Sequence, residues 1–136
     1  MTAEIKEGII TRITGPVVDV RFREQRPPDI FHAVEVRRGD EVFTLEVLQH
    51  LGGGEVRCIS MQPTDGLSRG LPAVDTGRPI SVPVGENTLG RMINVTGDPI
   101  DRCGPIAAQE HWPIHHSAPK LTDIVTADEV LETGIK

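Results

Sequence analysis

The chain has 136 residues, 38% of them apolar, and a formal charge of −6, which suits one modest core rather than a large enzyme domain plus a second module. The acidic balance and the few aromatics (Phe22, Phe31, Phe43 and Trp112, with no Tyr) exclude a basic track for nucleic acid and a base-stacking platform. No apolar run approaches the roughly 20 residues of a membrane helix, so direct membrane insertion is not expected.

The opening Met-Thr-Ala-Glu-Ile-Lys-Glu has neither the apolar core of a secretory signal nor the arginines of a transit peptide, so a cytoplasmic prokaryotic protein is expected. Cys58 and Cys103 show no C-x-x-C spacing and read as thiols of a reducing compartment.

Residues 8–13 (Gly-Ile-Ile-Thr-Arg-Ile) are β-branched and poor in helix formers, which predicts a strand. Gly15 and Pro16 stop it, one by permitting unusual backbone angles and the other by lacking an amide donor. Residues 17–22 then alternate, with Val18, Val20 and Phe22 on one face and Asp19 and Arg21 on the other, as in a half-buried antiparallel strand. A polar loop over 23–29 precedes a short strand at 33–36 and turn chemistry at 38–41. Residues 42–48 alternate again, with Phe43, Leu45 and Val47 inward and Thr44 and Glu46 outward.

Gly52, Gly53 and Gly54 reverse the chain into a strand over 55–61. A phosphate cradle would need such glycines between a strand and a helix, followed by Lys and Ser or Thr. Here strand follows strand, and no Lys occurs from residue 7 through 119. Residues 64–77, punctuated by Gly66, Gly70, Pro72 and Gly77, read as a loop. Residues 79–84 read as the sixth strand, pushed to an edge by Pro79 and Pro83. Six short strands without an intervening helix predict an all-β fold, a small barrel or sandwich, and closure into a barrel removes exposed strand edges. The barrel is therefore assigned to residues 1–84 and a separate unit to 85–136.

Within the second unit, 87–91 and 97–101 have turn character around a brief apolar run at 92–95. Residues 102–120, with Pro105, Pro113 and Pro119, read as extended and mostly irregular chain. Residues 126–129 fit a capping box that opens a helical turn, while Val130 and Leu131 fit a short strand equally well.

The chemistry-bearing constellations are few. His111, His115 and His116 lie close together, and imidazoles can bind zinc, nickel or copper. No acid or thiol stands at matching spacing and Pro113 breaks any helix that would align them, so they read as a surface cluster and no metal ligand is assigned. His32 and His50 are isolated and read as structural. Asp98 and Asp101 could do acid–base work only in a pocket that separates their pKa values, and in a Gly-Asp-Pro-Ile-Asp turn carboxylates ordinarily accept local backbone N–H bonds. The motifs H-E-x-x-H, G-x-x-x-x-G-K-[ST] and G-x-G-x-x-G are absent from the 136 residues, and no catalytic or cofactor-binding residue is assigned.

Taken in order, GIITRITGPVVDVRF at 8–22, LEVLQHLG at 45–52, DGLSRG at 65–70, DTGRPISVPVG at 75–85, TLGRMINVTGDPID at 88–101 and ETGIK at 132–136 resemble the N-terminal part of the beta subunit of F-type ATP synthase. The runs at 8–22 and 75–85 look beta-like rather than alpha-like. His116, where that family usually has Arg, and the run DIFHAV at 29–34 depart from the pattern and point to a divergent or alternative bacterial branch.

The resemblance implies a six-stranded N-terminal barrel that joins alpha subunits in a ring, a central stalk subunit as further partner, and a cytoplasmic position on the inner face of the cell membrane through the complex. It implies that residues 85–136 lead into an α/β nucleotide-binding domain whose phosphate loop is not among these residues. ATP or ADP with Mg would then belong to the full-length parent, an ion-driven ATP synthase or ATPase, with no cofactor held here. A free-standing small barrel acting as an interaction module, without enzymatic activity, is the alternative.

Overall fold

A computed structural model describes residues 6–23, 26–124 and 130. The first part is a closed barrel of six strands: β1 (Glu7–Thr14), β2 (Val17–Phe22), β3 (His32–Arg38), β4 (Glu41–Gly52), β5 (Glu55–Ser60) and β6 (Pro72–Pro79). Around the wall the order is β1-β2-β5-β4-β3-β6, β6 pairs back onto β1, and every neighbouring pair is antiparallel. No barrel strand is left with an open edge.

The alternation in the sequence sets the inside. Val18, Val20 and Phe22 of β2 and Phe43, Leu45 and Val47 of β4 are buried in one core, closed by Ile10, Val34, Val36, Val56, Cys58 and Ala73. Each such aliphatic contributes about 1.5–3 kcal/mol relative to an exposed position. Gly8 is buried where β1 touches β2 and β6 at once, paired with Phe22 and Ala73. A Cβ built there would lie 2.8 Å from the Arg21 carbonyl oxygen and 3.0 Å from Val20 Cγ1, so the close strand approach requires glycine. The β4–β5 reversal needs glycine for another reason: Gly52, Gly53 and Gly54 have φ of 95°, 60° and 80°, all left-handed.

The sixth wall strand differs from the sequence expectation. Residues 72–79, read as the end of a loop, close the barrel, and the apolar run assigned to that role leaves it. That run forms β7 (Ser81–Val84), which pairs antiparallel with β8 (Glu110–Pro113), inside the stretch expected to be irregular. The reason is backbone supply. β6 finds hydrogen-bonding neighbours on both sides, β1 and β3, and so needs no apolar stripe of its own.

Between β7 and β8 lie a short 3₁₀ turn (Glu86–Thr88) and a tight reversal in which Ile93 bridges Pro99. A second 3₁₀ turn covers Leu121–Asp123. No helix among the described residues is long and apolar enough to cross a membrane. The capping box at 126–129 falls outside the described residues.

Candidate functional site

The outer wall carries its chemistry in three places. On β1-β2-β5, the strand register sets acids opposite bases. Asp19 faces Arg57 across β2–β5 and Arg12 across β1–β2. Arg57 donates to Asp19 through Nε at 2.8 Å and Nη2 at 3.0 Å, and this bidentate bond holds the Asp19 carboxyl below the usual carboxylate range. One step along, Arg21 faces Glu55 at 3.4 Å, and the Thr11 hydroxyl also donates to Glu55. The wall here is a ladder of internally paired charges.

At the closing seam between β3 and β6, Asp75 buries its carboxylate. It meets His32 Nδ1 at 3.1 Å, accepts the Gly77 N–H at 2.9 Å and has Lys6 Nζ at 4.0 Å. His32, read as isolated in sequence, is thus part of the seam. His50 faces the Pro28 carbonyl at 2.7 Å, holding the incoming loop to β4.

The third place lies where the chain after the barrel returns to it. Glu46 was expected to face solvent, as its place between Leu45 and Val47 dictates, yet it is buried. His115 covers it, with Nε2 at 2.9 Å from Oε2. Phe31 stacks on the same imidazole, centroids 4.1 Å apart and 25° between planes.

The three clustered histidines therefore do not converge. His115 engages Glu46, His116 faces the Ser117 carbonyl at 2.7 Å and leans on Trp112, and His111 lines a cleft with Arg78 and Thr96. Glu46 and Phe31 carried no sequence signal for this site, because the contact spans 69 positions and both were judged by local alternation or loop character.

Asp98 and Asp101 both anchor the turn, Asp101 through backbone N–H groups as expected and Asp98 through neighbouring side chains instead. Asp101 binds Arg91 Nε at 2.5 Å and accepts the N–H groups of Cys103 (2.9 Å) and Met92 (3.2 Å), all of which lower its pKa. Asp98 is lowered by the Thr96 hydroxyl at 2.6 Å and by Asn94 at 3.0 Å. They serve different partners and share no proton. The triple glycine joins strand to strand with no helix following. Its geometry is that of a hairpin turn, whereas a phosphate cradle runs from a strand into a helix.

The family model for the beta-barrel domain of the ATP synthase alpha/beta family matches residues 10–77. The chain belongs to the ATP synthase alpha/beta family. The matched span begins inside β1 and ends inside β6, so it takes in the closed wall and leaves β7 and β8 outside. It agrees with the structure in ending the barrel on residues 72–79 rather than 79–84. In this family member the ion ladder, the Asp75 seam and the wall around Glu46 all lie on or against the matched barrel domain.

Proposed function

We propose that this chain is the N-terminal part of the beta subunit of an F-type ATP synthase, and that its barrel is the element through which beta and alpha subunits join in a ring. The observation that carries the reading is the family match running from the first barrel strand to the closing one. The beta assignment is supported by the runs at 8–22 and 75–85. The barrel is suited to assembly for a physical reason. Its closed hydrogen-bonded wall presents side chains rather than open strand edges, so a neighbour can dock without competing for backbone pairs.

In this reading the parent makes ATP from ADP and phosphate on an ion gradient, or hydrolyses ATP in reverse, with the nucleotide and Mg held outside these 136 residues. The central stalk subunit is a further partner. The complex holds the barrel on the cytoplasmic side of a bacterial membrane, peripheral to it.

The test is to mix the purified chain with the alpha subunit of the same synthase and measure assembly by native mass spectrometry. Mixed alpha–beta species are expected, together with no MgATP binding by the chain alone in calorimetry. Failure to associate, or stoichiometric MgATP binding by the 136-residue chain, would overturn the proposal.

A further inference from the structure

We propose that residues 110–117 form a strap fastened to the barrel wall by one latch, Phe31–His115–Glu46, and that opening the latch releases the strap while the barrel stays closed. The inference does not depend on which subunit the chain represents.

The first observation is the misplaced burial of Glu46. Its neighbours Leu45 and Val47 are fully inside, so strand alternation aims Glu46 outward, yet Glu46 is only 5% exposed. A carboxylate removed from water requires a partner, and His115 supplies it at 2.9 Å. Among the described residues, this is the one side-chain hydrogen bond from 110–117 to the barrel strands.

The second observation is the platform beneath the ring. Phe31 has φ of 70°, the left-handed region that non-glycine residues rarely occupy. Its N–H donates to the Val47 carbonyl at 2.8 Å, so Phe31 and Glu46 are fixed to the same short stretch of β4. A strained backbone persists where its surroundings determine it, and here it aims an aromatic face at the imidazole.

The third observation concerns the strap itself. All four residues of β8 are exposed, and its ladder runs to β7, outside the barrel. The Ile114 N–H adds one bond to the Ile80 carbonyl at 2.9 Å. Nearby a cleft of about 470 Å³ separates His111 of the strap from Glu35, Thr44 and Thr76 of the wall, so the strap stands off the barrel there. The strap has room to lift, and lifting it returns Glu46 to water. The barrel keeps its own strand pairing, because no ladder of the six-strand wall runs through residues 110–117.

Hydrogen exchange on the 136-residue chain tests this, with the single tryptophan, Trp112 of β8, as an optical probe. In His115→Ala, exchange over 110–117 is expected to rise on the order of tenfold or more, as for a lost bond to a buried carboxylate. Trp112 emission should shift, while the amide resonances of β1, β2 and β5 keep their positions because the wall stays closed. Glu46→Gln keeps an acceptor for the imidazole N–H and should retain most of the protection. Unchanged exchange in His115→Ala would overturn the latch. So would displacement of those wall resonances in step with the exchange, which would make the contact ordinary barrel packing. Should His115→Ala fail to fold, Phe31→Leu, which removes the ring face, must raise exchange over 110–117, and no rise would equally overturn the proposal.

Discussion

The Asp75 carboxylate and the His32 ring meet 3.1 Å apart across β3 and β6, at the seam that closes the barrel, with the Asp75 side chain only 3% exposed. Asp75 also caps the bend at Gly77, so one side chain ties the wall strand and shapes its end. Asp75→Ala removes the acceptor for the Gly77 N–H and leaves the half-buried His32 without its seam partner. A loss of about 1–3 kcal/mol in unfolding free energy is expected by urea titration. Asp75→Asn, which can still accept the Gly77 N–H, should lose less than Ala. Equal losses in the two variants would show that the backbone bond contributes nothing.

Gly8→Ala tests the close approach at the other side of the same closure. The added methyl would meet the Arg21 carbonyl oxygen at 2.8 Å and Phe22 Cδ1 at 3.1 Å. One of these is backbone in a hydrogen-bonded strand and cannot swing aside. Overpacking of this kind costs typically about 1–3 kcal/mol, and a matching drop in the thermal midpoint is expected in calorimetry. Gly39→Ala is the control. It strains a left-handed position, which Gly8 does not occupy, and its Cβ meets nothing within 4 Å, so it reports a backbone cost without overpacking.

The acid response of the 91–104 reversal follows from Asp101. Its pKa is held below the ordinary 3.8 first by the Arg91 hydrogen bond and then by the Cys103 amide. A carboxyl depressed in the folded state stabilises it fully above the unfolded value. That contribution is lost as pH falls below about 3.8 toward the folded value. The Met92 and Cys103 amide resonances should therefore hold their neutral-pH positions through the ordinary carboxyl range and move only well below pH 3.8. In Asp101→Asn they should sit at altered positions already at neutral pH and show no carboxyl titration of their own.

Legibility in the sequence followed the physics of burial. β2 and β4 could be read because Val18, Val20 and Phe22, and Phe43, Leu45 and Val47, face one core with period two. The β4–β5 hairpin could be read because three successive glycines between alternating runs have few other uses. β6 could not. Its buried positions are Ala73 and Asp75, one small and one charged, and Pro72 and Pro79 at its ends mimic loop punctuation. Closure supplies its backbone partners, and closure is a property of the whole wall. β8 was equally hidden, since a strand with no buried side chain leaves no hydrophobic period. The latch was illegible because Glu46 looks outward to any local rule, and only the fold brings His115 to it.

The two thiols should separate cleanly by reactivity. Cys58 lies inside the barrel, fully buried, and burial pushes its pKa up to about 12, with the nearby Asp19 charge adding to the rise. The thiolate is the nucleophile, so at pH 8 Cys58 is neutral as well as enclosed. Cys103 is exposed beside the Asp101 turn. Maleimide at pH 8 should therefore modify Cys103 quickly and leave Cys58 intact until the chain unfolds, with the sites assigned by peptide mass. The sign of the linkage is fixed as well. A thiol whose folded pKa is raised stabilises the fold fully below its unfolded value of 9.0, and that contribution is lost as pH rises toward about 12. Cys58→Ala should lack this alkaline loss, at the cost of the packing of one buried sulfur. Rapid labelling of Cys58 in the native chain would mean that the barrel opens far more often than its closed six-strand wall allows.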